Sequence, residues 1–258
     1  MTALDLFRLD GKTALVTGGS RGLGLQIAQA LGDAGASVAL TARREEGLAE
    51  AVDTLQACGI TAMSVRCDIS KPEEVQAAVD QVLEKWDHID ILVNNAGATW
   101  GAPLEDLPLD AWDKVVRTNV DGTFFVSRAV ALHMIKRGQG GKIINIASVA
   151  GLRGADPRLM QTLPYNTTKG AVVNFTRDLA AKLAEHAITV NCICPGWFPT
   201  RMSSGLLGQV GERLLDGIPL KRYGGEDDLK GIAILLASPA SAYITGQVIA
   251  VDGGATAI

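Results

Sequence analysis

The stretch from Val16 to Leu31, VTGGSRGLGLQIAQAL, decides the fold of this chain. It carries four glycines within seven residues, between an apolar run and a segment whose apolar residues recur at helical spacing. Glycine is unfavourable inside a regular helix or strand, so the cluster predicts a strand-to-helix turn that another group approaches closely. The N–H groups at a helix N-terminus bind anions when no Cβ blocks them, which makes a phosphate site one interpretation. A tight turn with close helix–strand packing is the other, because the glycine spacing differs from the GxGxxG fingerprint.

The rest of the chain alternates short β-rich runs with longer segments of helical spacing. Most of the runs are continuously apolar, which is typical of strands covered on both faces of a sheet. The intervening segments, such as GLAEAVDTLQACG (47–59), repeat their apolar residues every three or four positions. This α/β alternation predicts one Rossmann-like domain over residues 1–258, with a doubly wound parallel sheet of about seven strands and helices on both faces. The predicted strands are 13–18, 37–42, 62–68, 90–97, 142–148, 188–196 and 247–254.

The composition limits the classes of partner. The 258 residues include 24 basic and 28 acidic side chains and no basic block, which argues against nucleic acid or an anionic membrane surface. The N-terminal stretch MTALDLFRLDGK mixes acidic and apolar residues, so it predicts neither a signal peptide nor a membrane span, and a cytoplasmic location is expected. Small molecules and copies of the chain itself are the expected partners.

The four cysteines predict no metal site. Cys58, Cys67, Cys192 and Cys194 lack the spacing of a zinc ribbon, and in a reducing compartment they are expected to stay as thiols. Cys192 and Cys194 are two positions apart and share one face of a predicted strand. Core packing is the expected role of this pair, with metal binding or redox chemistry as the alternative.

The end of the second predicted strand indicates which dinucleotide would fit. A carboxylate about 20 residues past the glycines would bind a ribose 2′-hydroxyl, whereas an arginine would accept a 2′-phosphate. Here Ala42 occupies the expected position and Arg43 follows it, while Glu45 is expected in the first turn of the next helix. Together with Arg21 of the glycine stretch, these residues favour NADP(H). The alternative is that the arginines lie on a solvated surface turn.

Tyr165 and Lys169 stand four positions apart in a segment of helical period, which places them on one face and one turn apart. A phenol with an ordinary pKa of about 10 is a poor acid–base group at neutral pH, and a nearby ammonium is expected to lower that pKa. Tyr165 would then exchange a proton with a carbonyl or alcohol. Ser148 ends a predicted strand just upstream, where its hydroxyl would reach the same substrate oxygen. By itself, the Tyr-x-x-x-Lys spacing also occurs on ordinary helix surfaces.

These pieces together resemble the short-chain dehydrogenase/reductase family over essentially the whole chain. The matching residues occur in the order of the family: Thr17, Gly18, Gly22 and Gly24, then Asp68, the NNAG motif at 94–97, Asn119, Ser148, Tyr165, Lys169, and the Pro195–Gly196 pair. The resemblance implies a catalytic set of Asn119, Ser148, Tyr165 and Lys169. In that set Asn119 supports a water leading to Lys169, Ser148 positions the substrate oxygen, and Tyr165 transfers the proton.

The resemblance also implies a cofactor site, a substrate class and an assembly. The implied substrates are 3-oxoacyl thioesters or keto-sugar acids, reduced with NADPH by a homotetramer. A dinucleotide-binding redox sensor without turnover is the alternative from another functional class. The implied cofactor-binding residues are Gly18, Ser20, Arg21, Gly22, Leu23, Gly24, Arg43, Asp68, Ile69, Asn95, Ala96, Gly97, Tyr165, Lys169, Pro195, Gly196 and Thr200.

Two segments bear on the substrate side of the site: the loop between Ser148 and Tyr165, and the segment at about 199–218. The loop between Ser148 and Tyr165 is a few residues longer than is usual in the family, which makes the substrate side atypical. The segment at about 199–218 is expected to form a mobile substrate lid, because Gly205, Gly208 and Gly211 break it into short pieces. Its apolar side chains would cover a substrate or pack against the domain. The members of that apolar set are Trp197, Phe198, Met202, Leu206 and Leu207.

Overall fold

A parallel sheet of seven strands forms the centre of the structure, a computed structural model that describes residues 2–158, 160–200, 211 and 213–258. The strand order is β3-β2-β1-β4-β5-β6-β7, and every neighbouring pair is parallel. The prediction of a doubly wound sheet is thus confirmed. The strands are β1 (Thr13–Thr17), β2 (Ser37–Ala42), β3 (Ala62–Arg66), β4 (Ile91–Asn94), β5 (Gly141–Ile146), β6 (Ile188–Pro195) and β7 (Val248–Val251).

Most strands end earlier than the sequence pattern predicts. The differences are largest in β4 and β7, and β4 ends at Asn94 rather than at Gly97 because the three following residues leave the sheet toward the glycine loop (Gly18–Gly24). Likewise β7 ends at Val251, since Asp252 turns the chain with its own side chain. At these positions, side-chain and loop hydrogen bonds replace the strand ladder.

Helices cover both faces of the sheet, as predicted. They are α1 (Gly22–Asp33), α2 (Glu45–Ala57), α3 (Pro72–Trp86), α4 (Leu109–Val116), α5 (Gly122–Arg137), α6 (Leu163–Leu183) and α7 (Lys230–Ala237). Successive residues of a strand point to opposite faces, so Leu15 and Val16 of β1 enter two different cores. Val16 packs in the core that contains α1 and α7, and Leu15 packs in the core that contains α3 and α5.

The strand order reverses at β1, which pairs with β2 on one side and with β4 on the other. In parallel sheets such a reversal opens a crevice at the carboxyl ends of the strands, where ligands bind. The glycine loop follows β1 and Asn95 follows β4, so both lie at this point. No helix among the described residues is long and apolar enough to cross a membrane.

Most of the predicted lid at 199–218 lies outside the described residues, which exclude 201–210 and 212. Phe198, just before it, is only 6% exposed and packs in the α1/α7 core against Gly224. For this side chain the structure therefore supports packing against the domain. Met202, Leu206 and Leu207 lie outside the described part of the chain.

Candidate active site

The glycine loop is held against the end of β4 by side-chain hydrogen bonds. Asn95 donates through Nδ2 to the carbonyl oxygens of Thr17 and Gly18, at 3.0 and 3.1 Å. In return, the Thr17 hydroxyl accepts from the N–H groups of Asn95 and Ala96, at 3.0 and 3.1 Å. Gly18 has a φ of 65°, and a Cβ there would lie 2.9 Å from the Ala96 Cα. The loop therefore has a fixed shape set by contacts across the strand switch.

The three motif glycines serve different purposes. A Cβ on Gly24 would overlap the Asn95 amide and the Gly18 carbonyl, so this position is closed by packing. Among the described residues, a Cβ on Gly22 would meet the Thr200 side chain alone, at 3.7 Å, although its φ of 55° still favours glycine. Arg21 is the N-cap residue of α1, and its side chain makes no capping hydrogen bond. The close packing of the loop is thus confirmed, whereas the binding of an anion at its helix N-terminus stays a prediction.

The residues expected at the adenosine end form an open, cationic corner. Ala42 ends β2 half-buried, whereas Arg43 and Arg21 are exposed and make no ion pair among the described residues. Ser20 lies against Gly47 in the first turns of α2, where a Cβ would come within 3.6 Å of the Ser20 Cβ. Glu45 begins α2 as predicted, so its carboxylate belongs to the helix N-terminus rather than to the end of β2.

Asp68 and Ile69 shape the far side of this corner. The Asp68 carboxylate accepts from the N–H and the hydroxyl of Ser70, at 3.1 and 2.8 Å. The backbone N–H of Asp68 donates to the carboxylate of Glu74, at 2.9 Å. Ile69 is buried directly over Gly122, where a Cβ would come within 2.7 Å of the Ile69 side chain. These contacts fix the direction of the chain immediately after β3.

Ser148, Tyr165 and Lys169 converge at the carboxyl end of β5. Ser148 has an extended backbone just beyond the strand, and its hydroxyl oxygen accepts from the Ala150 N–H at 3.1 Å. On α6, the predicted spacing brings Tyr165 and Lys169 together, with Nζ 5.6 Å from the centroid of the tyrosine ring. Lys169 is 5% exposed, and its ammonium donates to the carbonyl of Ile146 at 2.7 Å.

The pKa of Tyr165 is shifted in the direction opposite to the prediction. Burial raises it above the ordinary value of 10.0 and outweighs the hydrogen bond with Ser148, which favours the phenolate. The predicted lowering of the Tyr165 pKa is wrong because the charge of Lys169 has less effect here than the loss of water around the phenol. The same burial lowers the pKa of Lys169 to about 8. In this structure Tyr165 is therefore a protonated acid at neutral pH.

Asn119 lies in a single π-helical turn, Arg117–Asp121, between α4 and α5. Its side chain is 1% exposed and exchanges two hydrogen bonds with the backbone of Ala98, at 2.7 and 2.9 Å. The same Nδ2 donates to the hydroxyl of Thr168 at 2.9 Å, which in turn donates to the carbonyl of Tyr165 at 2.9 Å. A π-helical turn interrupts the regular helix ladder and often occurs at functional sites. Asn119 thereby links the NNAG loop to α6.

Gly97 leaves open space between these groups. A Cβ at this position would lie 3.3 Å from the Asn119 side-chain oxygen and 3.6 Å from Lys169 Nζ. The sequence analysis gave no role to Thr168, which bridges Asn119 and Tyr165. Its spacing of three from Tyr165 places it on the same side of α6, and that spacing is the available sequence signal.

The two cysteines of β6 lie beneath this site. Cys192 and Cys194 are fully buried, with their sulfur atoms 3.9 Å apart, in a small core with Ala147, Val172 and Val173. The predicted shared face and core packing are thus confirmed. No group of three or more metal-binding side chains occurs in the described ranges.

Comparison with known proteins identifies the family. The model of a family described as Enoyl-(Acyl carrier protein) reductase matches residues 18–256. A short-chain type dehydrogenase/reductase from Mycobacterium marinum superposes with a TM-score of 0.96 at 39% identity, covering 100% of both chains. The chain belongs to the short-chain dehydrogenase/reductase family.

Several relatives of this dehydrogenase/reductase have sugar-acid or acyl substrates in their names. Gluconate 5-dehydrogenase of Gluconobacter oxydans is 41% identical over 99% of both chains. A 3-oxoacyl-[acyl-carrier-protein] reductase of Chlamydia trachomatis is 38% identical over 95% of this chain and 98% of its own. The structure of a gluconate 5-dehydrogenase from Burkholderia cenocepacia, in complex with NADP and tartrate, has a TM-score of 0.94 at 41% identity, covering 100% of both chains.

The residues of this dehydrogenase/reductase fit a nicotinamide dinucleotide. No side chain among the described residues caps the helix that begins at Gly22, where a pyrophosphate would bind, and Arg43 with Arg21 would hold a 2′-phosphate. At the other end, the absent Cβ of Gly97 leaves room beside Lys169. The Lys169 ammonium has three donor hydrogens, and its bond to Ile146 leaves others for ribose hydroxyls.

Proposed function

We propose that this chain is an NADP(H)-dependent oxidoreductase that interconverts a carbonyl and a secondary alcohol, with Tyr165 as the acid–base residue. Membership of the family makes the chain a dehydrogenase/reductase acting on CH–OH and C=O groups. The observation that carries the proposal is the convergence of Ser148, Tyr165 and Lys169 at the carboxyl end of the sheet. A redox sensor without turnover would not need a buried lysine beside a protonated tyrosine.

The chemistry divides between the protein and its cofactor. When bound, the reduced nicotinamide supplies the hydride. Ser148 holds the substrate oxygen by a hydrogen bond, and Tyr165 donates its phenolic proton to that oxygen as the alcohol forms. Lys169 holds the ribose hydroxyls and stabilises the phenolate that remains. In oxidation the same groups act in reverse.

Keto-sugar acids are the substrate class that we propose first. The relatives named gluconate 5-dehydrogenase support it, including the one whose structure contains NADP and tartrate, a hydroxy acid. A 3-oxoacyl thioester is the second candidate, because an acyl-carrier-protein reductase is 38% identical to this chain. The loop between Ser148 and Tyr165 is connected to the segment after the NNAG motif, since the backbone carbonyl of Gln161 accepts from the Ala102 N–H at 2.9 Å.

A panel of carbonyl substrates tests the proposal. NADPH consumption would be followed by absorbance with 5-keto-gluconate, 3-oxoacyl thioesters and diketones, and the reverse reaction with gluconate and NADP. We expect turnover of at least one carbonyl, with the keto-sugar acid giving the highest kcat/KM. Binding of NADPH without turnover across the whole panel would refute the enzyme and favour the sensor.

A further inference from the structure

A carboxylate outside the catalytic set builds the turn that follows β7. One Asp252 oxygen accepts from the Gly254 N–H at 2.9 Å. The other oxygen accepts from both the N–H and the hydroxyl of Thr256, at 2.8 and 2.6 Å. Gly254 has a φ of 90°, which this turn requires and most residues avoid. Three donors thus hold the carboxylate and fix the backbone of residues 252–256 (the C-terminal turn).

The C-terminal turn lies directly against the Pro195–Gly196 turn at the end of β6. A Cβ on Gly196 would come within 2.7 Å of both Cα and Cβ of Asp252, so the two backbones are in contact. The Gly196 N–H also donates to the carbonyl of Val251 at 2.9 Å. The position of Gly196 therefore depends on the conformation at Asp252.

The segment from Ile193 to Thr200, which contains Gly196, contacts both the catalytic end of β5 and the glycine loop. On one side, the Ala147 N–H next to Ser148 donates to Ile193 in β6, at 2.9 Å. On the other, Thr200, four residues beyond Gly196, comes within 3.7 Å of a Cβ placed on Gly22. Because β6 pairs with β5, the Pro195–Gly196 turn lies beside Ser148, where the proposed hydride transfer would take place. The nicotinamide of the proposed cofactor would therefore bind in this part of the crevice.

We infer that Asp252 is a positioning residue for the nicotinamide half of the cofactor, acting through Gly196. The inference rests on the proposed function, since it assigns a role within the same site. The C-terminal turn sets where the Pro195–Gly196 backbone meets the nicotinamide. The adenosine half, held by the glycine loop and the Arg43 corner, is independent of it.

The charge of Asp252 matters to this role. Burial alone would raise its pKa, but the hydrogen bonds from Thr256 and Gly254, together with the charge of Arg153, lower it below the ordinary 3.8. The side chain is therefore an ionised acceptor at neutral pH. Asp252→Asn keeps nearly the same side-chain volume but replaces one acceptor oxygen by a donor NH₂ group. Either Gly254 or Thr256 therefore loses its hydrogen-bond acceptor.

Two ligands that differ only at the nicotinamide half test the inference. The ligands are NADPH and 2′-phospho-ADP-ribose, measured by calorimetry on wild type and Asp252→Asn. We expect NADPH to bind about tenfold more weakly to the variant and kcat to fall by a similar factor, while 2′-phospho-ADP-ribose changes by less than about twofold. Asp178→Asn is the matched control, because Asp178 is an exposed, ion-paired aspartate on α6, and both ligands should bind it as they bind wild type.

A second variant keeps the test decisive if Asp252→Asn does not fold. Thr256→Val removes only the hydrogen bond from its hydroxyl to Asp252. We expect this variant to lose less NADPH affinity than Asp252→Asn does, and to keep its affinity for 2′-phospho-ADP-ribose. Equal weakening of both ligands, or no change in either, would overturn the inference. A wild type that turns over no carbonyl with NADPH would refute the proposed function instead.

Discussion

The ammonium of Lys169 is buried, and it donates a hydrogen bond to the neutral backbone carbonyl of Ile146 at 2.7 Å. Loss of water lowers its pKa to about 8, so the side chain is charged below that pH and neutral above it. Tyr165 keeps its proton through the same range, because burial raises its pKa. The two shifts suit reduction near neutral pH, with a charged lysine and a protonated tyrosine.

The pH dependence of reduction should follow Lys169. We expect kcat/KM for carbonyl reduction to be constant near pH 7 and to fall as the pH rises through about 8, where the lysine loses its charge. Lys169→Arg keeps the charge to higher pH, so its alkaline limb should move upward even if the maximal rate is lower. If the alkaline fall in kcat/KM stays at the same pH in this variant, the fall must be due to the titration of another group.

Tyr165→Phe tests the proposed acid. The change keeps the ring in place and removes only the hydroxyl, so NADPH should still bind while the rate of reduction falls by a factor on the order of 100 or more. Single-turnover kinetics and NADPH titration separate these effects. Near-normal turnover of a reactive ketone by the variant would mean that another residue donates the proton.

Ala42 and Arg43 should determine the choice between NADPH and NADH. The exposed Arg43, with Arg21, can make charge-assisted hydrogen bonds to a 2′-phosphate, each worth about 1.5–3 kcal/mol, so we expect at least about tenfold higher kcat/KM with NADPH. Ala42→Asp combined with Arg43→Ala should reverse the preference, because a carboxylate accepts from ribose hydroxyls and repels phosphate. A wild type that prefers NADH would show that an acid such as Glu45 reaches the ribose.

At the scale of elements, the glycine loop and the end of β4 form one unit. Asn95 bonds to Thr17 and Gly18 across 78 and 77 residues of sequence, and Gly24 has no room for a side chain beneath that amide. The π-helical turn at Asn119 and the hydroxyl of Thr168 extend the connection to α6. The glycine loop and α6 are therefore connected through buried and partly buried hydrogen bonds.

Replacing two helical glycines by alanine, one packed and one free of contacts, distinguishes the effect of this packing on stability from the effect of helix propensity. Gly24→Ala in α1 should lower the free energy of unfolding by about 1–3 kcal/mol, because its Cβ overlaps Asn95 and Gly18. Gly231→Ala in α7 is the control, since a Cβ there meets nothing within 4 Å, and it should raise stability by up to about 1 kcal/mol. Urea denaturation measures both. Equal stability of Gly24→Ala and wild type would show that the loop relaxes freely.

At the scale of the whole molecule, one edge of the sheet ends in exposed apolar side chains. β7 is the last strand of the sheet, Tyr243 just before it is fully exposed, and Ile258 is 81% exposed. An edge strand with such neighbours favours association unless another surface covers it. We propose that this edge and the C-terminal residues lie in an interface between copies of the chain.

Light scattering should then give the mass of a homotetramer at micromolar concentration. Tyr243→Lys combined with Ile258→Lys places charge at this edge, and we expect it to reduce the assembled mass. Leu104→Lys changes an apolar side chain that is also exposed but lies in the loop before α4, and it serves as the control. A monomeric mass for the wild type would contradict the proposed interface.

Features that repeat along the chain can be predicted from the amino-acid sequence alone. Apolar runs identified all seven strands, the four-residue spacing brought Tyr165 beside Lys169, and the two-residue spacing put Cys192 and Cys194 on one face. Each of these follows from the period of a helix or strand, which links residues near in sequence. The family motifs also predicted Asn119 and the glycines as site residues, but they did not predict which groups these residues contact.

In contrast, the contacts between distant groups, and the amount of water that these groups lose, depend on the folded arrangement of the chain. The bond between Asn95 and the glycine loop, the bridge from Asn119 through Thr168, and the contact of Asp252 with Gly196 all join elements that no local period relates. Strand order brings them together, and packing sets their burial. The raised pKa of Tyr165 has the same origin, because its sign depends on desolvation, a property of the folded surroundings rather than of the spacing to Lys169.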